Sequence, residues 1–493
     1  MNIGTIISIE GSPSTSEFSF VIEKEAKKGQ YIQTENEEGI IFGYIAEIVR
    51  ANKYFERADI VKEYENISEA FPTDSWEHLI AQVKILGTYS DGKFMRTSIP
   101  PNPGAKVTLS NSELLKKFLG FEDQGLRIGS IQHHDIEARL DMTRLLNKHL
   151  AILAMSGSGK SYLTSVLIEE LLERKPEYGR IAVIVIDIHG EYVGFKYDES
   201  YGKRTKIIEG KEVMIPLRRL TADYIEEWTN LSEPQKQLLR SCMVELKRQD
   251  KNYGMKKLVE GIENASSSND SVKKPLIRSL MDIRRMRIVS NEKENPIIKD
   301  DIRAGELTIF DFSTIDSLRK KQIIVSYLAR KLFALRKKNL VPPFVLIIEE
   351  AHNFAREKAE KSESISRAVI ESMAREGRKF GASLCLITQR PVNLSTTALS
   401  QCNSHIILRV TNPNDLKHIE MSSEGIDSRV SRNITSLRVG EAIIVGEAVN
   451  YPIFVSVRQR KSTKKERGKP LHEQAIEYEK EKLKKEEEAG AFL

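Results

Sequence analysis

Between residues 154 and 161 the chain reads Ala154-Met155-Ser156-Gly157-Ser158-Gly159-Lys160-Ser161, after an apolar run at 149–153 and before a helical pattern at 162–172. A strand, a tight loop and a helix are therefore expected in that order. Small residues let successive backbone N–H groups turn inward around phosphates, and the helix N-terminus adds partial positive charge. Lys160 is placed to reach the β- and γ-phosphates of ATP, and the Ser161 hydroxyl to ligate Mg²⁺. Ser156, Gly157, Ser158, Gly159 and Tyr162 complete the candidate nucleotide-binding set. Ala154 stands where such loops usually begin with glycine.

Outward from this loop, short apolar strands alternate with longer helical stretches, the pattern of a parallel α/β sheet. Strands are expected at 149–153, 181–187, 306–312, 344–348, 383–388 and 405–410. A largely helical section at about 217–303, with a loop at 265–270, reads as an insertion that packs on the core or grips a substrate. A helix at about 317–338 places Ile324, Leu328, Leu332 and Leu335 on one face. After Gly440, runs at 441–445 and 453–457 suggest a hairpin.

The first hundred residues read as β. Runs at 3–10, 17–23, 30–35, 40–49 and 79–89 are separated by Gly, Ser, Asn or Lys turns, which suits a small barrel used for assembly. Ile99-Pro-Pro-Asn-Pro-Gly104 marks a linker. The expected organisation is thus a barrel (1–100), a connecting segment (101–145), an α/β ATPase core with its insertion (146–457) and a charged extension (458–493). Nineteen of the last 36 residues are charged, so a solvated helix or tail is the plain reading, and a brace against a neighbouring subunit the sharper one.

With 493 residues, 40% hydrophobic and 30% charged, the chain can bury a sizeable core in more than one unit. Its longest unbroken apolar run, 181–186, is far short of a membrane span, and the N-terminus lacks the features of a secretory signal. Three cysteines without ligand spacing argue against a disulfide scaffold or zinc site, and a cytoplasmic location is expected. A net charge of +6 permits a local basic surface for nucleic acid without requiring one.

A second motif is Phe344-Val-Leu-Ile-Ile-Glu349-Glu350-Ala351-His352. A buried strand ending in two carboxylates can hold the Mg²⁺ water shell with Glu349 and polarise the attacking water with Glu350. His352 reads as a hydrogen-bonded structural residue. The run 181–186 ends in Asp187-Ile-His-Gly-Glu191, where Asp187 and Glu191 are candidates for supporting the metal, positioning the adjoining loop or simple capping. Gln389, after the strand at 383–388, is a candidate to sense the γ-phosphate or orient water. In Ala374-Arg375-Glu376-Gly377-Arg378, the cations suit a helix C-terminus, or else supply an arginine finger. With one phosphate loop per chain, an arginine finger at Arg375 or Arg378 would serve a neighbouring subunit, which implies a ring.

The combination of these motifs with Leu126-Arg-Ile-Gly129-Ser-Ile131, Asp141, Thr388-Gln-Arg-Pro391 and Val439-Gly-Glu-Ala-Ile-Ile444 resembles the HerA branch of the HerA/FtsK ATPases. The resemblance implies a RecA-like core with an N-terminal barrel, a homo-hexameric ring around double-stranded DNA, ATP-driven movement, and work with a NurA-type nuclease at DNA ends in double-strand-break repair. A ring ATPase that moves protein, as in secretion or conjugation, is the competing reading, and a nucleotide-regulated scaffold a third. No Leu-Ser-Gly-Gly-Gln signature or second nucleotide core is present, which disfavours an ABC-type ATPase and a two-lobed monomeric helicase.

Overall fold

The computed structural model describes residues 2–8, 12–52, 77–249, 253–266, 268–360, 363–423, 426, 428–463 and 471–490. The N-terminal strands Asn2–Ile7, Glu17–Ile22, Tyr31–Asn36, Gly39–Asn52, Glu77–Ser90 and Lys106–Leu109 form a six-stranded barrel. It closes because Glu17–Ile22 pairs with Asn2–Ile7 on one side and Glu77–Ser90 on the other. Alternation sends Ile3, Phe18, Phe20, Ile32, Ile41, Ile45, Val83 and Val107 inward, as period-2 patterning requires.

The barrel extends past the expected boundary at residue 100. Lys106–Leu109 lies between Asn2–Ile7 and Tyr31–Asn36, so the Pro/Gly stretch is a reversal inside the barrel. Gly104, at φ 84, makes that reversal and donates its N–H to Ile6 O at 2.8 Å. The segment expected only to connect also folds. Helix Ser112–Leu119 is capped by Asn111, and strands Phe121–Ile131 and Glu137–Leu140 join the core sheet. Phe118 of that helix stacks between Phe42 of the barrel, at 4.8 Å, and Tyr451 of the core, at 4.7 Å. Such pairs contribute about 0.5–1.5 kcal/mol beyond area burial, so the three rings fasten barrel to core.

The core sheet has eleven strands in the order Thr205–Glu209, Leu307–Asp311, Ala182–Asp187, Phe344–Ile348, Ala382–Thr388, Leu150–Leu153, Ser404–Ile407, Glu441–Gly446, Ile453–Val457, Phe121–Ile131, Glu137–Leu140. The first seven run parallel and the last four add antiparallel. Both faces are covered. Leu150 and Ile152 enter one core while Ala151 and Leu153 enter the other, which is why these strands read as continuous apolar runs. Between Ala182–Asp187 and Leu307–Asp311 come the unforeseen edge strand Thr205–Glu209 and helices Ala222–Trp228, Glu233–Gln249, Met255–Glu263 and Asp270–Arg285. Leu239, Leu258, Ile262, Leu276 and Leu280 join these helices to the main core, so the insertion packs. In helix Leu318–Lys337, Ile324, Leu328 and Leu332 are buried and Leu335 packs partly buried beside them.

The hairpin Glu441–Gly446/Ile453–Val457 forms as expected. At the end of the chain, helix Leu471–Gly490 exposes its described side chains, 472–482. No helix among the described residues is long and apolar enough to cross a membrane.

Candidate active site

The phosphate-loop strand does not neighbour the next strand in sequence. Leu150–Leu153 lies between Ala382–Thr388 and Ser404–Ile407, with Leu153 opposite Thr388 and Ile407. This break in strand order opens a crevice at the carboxyl ends of the strands, where α/β sheets bind ligands. Ala154 N–H donates to Thr388 O (3.2 Å) and Met155 N–H to Arg409 O (2.9 Å), anchoring the loop's entry to both neighbours. Ala154 is fully buried in the core, so its methyl group is accommodated beneath the loop. Gly157 and Gly159 take φ 78 and 100, a region open to glycine at little cost. Ser158 Oγ donates to Met155 O at 2.7 Å, closing the turn. Helix Lys160–Glu173 then starts with no side-chain cap. Its first N–H groups are left as donors for an anion.

Glu350 occupies the left-handed region at φ 46, ψ 48. This turns its carboxylate onto the Lys160 ammonium, and the two form an ion pair with Glu350 almost fully buried. Glu349 is fully buried. One oxygen, Oε2, accepts from Ile188 N–H at 3.1 Å, while Oε1 has no partner among the described residues. Asp187 accepts from the N–H groups of His189 (3.2 Å), Glu191 (3.0 Å) and Tyr192 (2.9 Å). Both its oxygens are thereby committed to holding the following loop. Burial raises the Glu349 carboxyl well above its usual range; Asp187 pushes it further and Lys160 opposes the rise. Burial and the charge of Asp311 likewise raise Asp187, against the pull of its backbone donors. A buried carboxylate with an orphaned oxygen beside a second carboxylate favours either a proton or a cation. Glu349 therefore suits Mg²⁺, with Asp187 acting behind it.

His352 Nδ1 lies 3.0 Å from Thr388 Oγ1 and 3.5 Å from Glu350 Oε2. Burial depresses its pKa, so the ring is a neutral spacer between two strand ends. Gln389 follows Thr388 directly and is half-buried. Lys160, Ser161, Glu349, Glu350 and Gln389 thus converge on one sheet edge. Arg375 and Arg378 do not join them. Helix Arg367–Glu376 ends at the start of strand Ala382–Thr388, whose seven residues span about 23 Å at ~3.3 Å each. Both guanidinium-bearing residues are exposed at this opposite edge, and among the described residues Arg375 makes a single ion-pair contact, 3.9 Å from Glu371.

His149, buried at φ 64, fastens the start of the phosphate-loop strand to the arginine-bearing helix at this edge. Its Nδ1 accepts from Leu384 N–H at 3.0 Å, so Nε2–H donates to Ala374 O at 2.9 Å. Burial holds its pKa down to about 4, keeping the ring neutral and in this tautomer.

Sequence reasoning missed the contacts that support the phosphate-loop helix from behind. Glu169, fully buried, accepts from Lys461 N–H (2.9 Å), Ser462 N–H (2.8 Å), Ser462 Oγ (2.6 Å) and Arg458 Nη1 (2.7 Å). Arg458 also donates to Glu170 Oε1 at 2.7 Å. Tyr162, an expected nucleotide contact, is 38% exposed, and its hydroxyl accepts from Arg460 N–H at 2.6 Å. The signal was available as a Glu169-Glu170 pair in the helix and a basic run just after the last strand.

The architecture is that of a RecA-like P-loop ATPase core bearing an N-terminal barrel. Residues 126–332 match the family described as "Helicase HerA, central domain". The Methanocaldococcus jannaschii protein named "Probable helicase MJ1565" is 31% identical over 475 residues, covering 91% of this chain and 89% of that one. The DNA double-strand break repair helicase HerA of Sulfurisphaera tokodaii is 27% identical over 491 residues, covering 93% of each. The chain belongs to the HerA helicase family. Among solved structures, VirB4 of Thermoanaerobacter pseudethanolicus shares the fold with a TM-score of 0.55 at 15% identity, covering 69% of this chain and 98% of that one. The plasmid coupling protein TrwB in complex with ADP and Mg²⁺ shares it at 0.50 and 15%, covering 73% and 94%.

Proposed function

We propose that this protein is an ATP-driven motor that translocates along and unwinds double-stranded DNA, working as a homo-hexamer with a NurA-type nuclease at broken DNA ends. The observation that carries the hydrolytic part is the Glu350–Lys160 ion pair on the lip of the phosphate loop. ATP phosphates entering the loop compete for Lys160 and release Glu350, whose carboxylate is then free to take a proton from water. Hydrolysis is thereby linked to occupancy. Bound Mg²⁺, held by Ser161 and Glu349, would neutralise charge on the β- and γ-phosphates. Gln389 orients the water from the neighbouring strand end. The exposed Arg375 and Arg378, on the far edge of the sheet, support completion of the site by a neighbouring subunit.

The DNA part rests on family membership and on the names of relatives called DNA double-strand break repair helicases. The test is the ATPase rate with and without linear duplex DNA, on a sample of known solution mass. Stimulation should be nearly independent of sequence. Binding should fall steeply between about 50 and 200 mM salt, because phosphate contacts release counterions. No stimulation by any DNA at low salt would favour a motor that moves protein.

A further inference from the structure

The loops after strands Phe344–Ile348 and Ala382–Thr388 are sewn together. Arg356 and Leu394 form an antiparallel bridge, Glu357 N–H donates to Asn393 O at 2.9 Å, Ser395 N–H to Ala355 O at 2.7 Å, and Thr396 N–H to Glu357 Oε2 at 2.7 Å. This frame sets Arg356 and Arg390 on the wall of a cavity of about 270 Å³ that Asn353, Asn393 and His352 also line. Both arginines are exposed. Neither guanidinium makes an ion pair or hydrogen bond among the described residues, and neither do the carboxamides of Asn353 and Asn393. Among the described residues, Glu363, also exposed, is the one carboxylate on the lining and bonds to neither arginine.

Two like charges on loops joined by these hydrogen bonds, beside two amides without partners among the described residues, form an arrangement that an anion relieves. Guanidinium forks match the oxygens of a phosphate better than any other cationic side chain does. The cavity also adjoins the hydrolytic centre, since His352 lies between it and Glu350. We propose that this cavity is a phosphate-binding site distinct from the phosphate loop, with Arg356 and Arg390 as its principal ligands. Its occupant is a phosphate group from one of two sources, a nucleic-acid backbone or the inorganic phosphate released by hydrolysis. The first source rests on the proposed function; binding of inorganic phosphate does not.

The test uses the full chain saturated with Mg²⁺ and a non-hydrolysable ATP analogue, so that the phosphate loop is filled. Inorganic phosphate is titrated by calorimetry, and a labelled random-sequence duplex by anisotropy at several salt concentrations. The double variant Arg356→Gln/Arg390→Gln should weaken at least one titration tenfold or more. It should melt like the wild type, because neither side chain has a partner to lose among the described residues. Lys358→Gln, which removes an exposed cation of the same loop outside the lining, should stay within twofold. Loss confined to inorganic phosphate identifies the hydrolysis product. Loss for the duplex, with a shallower salt dependence, identifies the backbone. An effect on inorganic phosphate without any DNA-stimulated ATPase would sink the DNA motor and leave the site standing. The site itself is overturned if wild type and double variant bind both probes alike, or if Lys358→Gln weakens binding as much as the double variant does.

Discussion

Arg458→Met should destabilise the ATPase core by about 3 kcal/mol. The Arg458 side chain is 7% exposed and Glu169 not at all, and they meet at 2.7 Å. Removing one partner of a buried ion pair costs roughly 3–5 kcal/mol, because a charge is left without its counter-charge. Glu169 keeps three donors from Lys461 and Ser462, which places the loss at the low end of that range. A domain of 150–250 residues shifts by about 2–4 °C per kcal/mol and a larger one by less, so the transition should fall by at most roughly 6–12 °C. The assay is thermal and urea unfolding at fixed protein concentration, for Arg458→Met, Glu169→Gln and the double variant. Neutralising both groups should recover part of the loss, giving a coupling of about 2 kcal/mol, since contacting residues are non-additive. A loss below about 0.5 kcal/mol for Arg458→Met, within the range of ordinary surface changes, or strict additivity in the double variant, would refute the reasoning.

Lys160→Ala should abolish hydrolysis and weaken nucleotide binding, whereas Glu350→Gln should keep binding and block turnover; equal binding losses in both would reject that division of roles. An arginine variant at Arg375 or Arg378 and Lys160→Ala, each inactive alone, should partly recover ATPase when co-assembled, and failure in verified mixed rings would leave the arginines as helix-terminal charges. Burial, with Asp187 repelling Glu349 and Asp311 repelling Asp187, holds these two carboxyls above their unfolded values, so their contribution to the stability of the nucleotide-free protein is full below the ordinary carboxylate range and is lost as pH rises through the folded values. Mg²⁺–nucleotide favours the charged carboxylate, so its binding at near-neutral pH should release a proton, seen by calorimetry in buffers of different ionisation enthalpy. Glu349→Gln should abolish that release, and equal release from the variant would place the proton elsewhere.

The parallel core was legible because its strands are buried on both faces and therefore read as apolar runs, as at 182–187. The phosphate loop and Glu349-Glu350 were legible because chemistry fixes their residue types. Lys106–Leu109 was not, since four residues after a Pro/Gly stretch carry too little pattern to signal a strand. Thr205–Glu209, Thr-Lys-Ile-Ile-Glu, is half-polar as an edge permits, so it lacked the signature of its neighbours. The role of Asp187 depends on three backbone donors that appear only when the following loop folds. The fit of Glu169 against Ser462 joins residues nearly three hundred apart, a distance no local pattern spans.

His149 gives the core the geometry of a lever. Its imidazole grips Ala374 O, one residue before Arg375, from the base of the strand whose tip carries the phosphate loop. The second ring nitrogen fixes that base to strand Ala382–Thr388, which braces the arm at its foot. On the proposed function, a tilt imposed at the loop by an arriving nucleotide would reach the arginine end through this strand. In a closed ring such levers would be geared tooth to tooth, each subunit's filling read by the next as a displacement rather than as a diffusing signal.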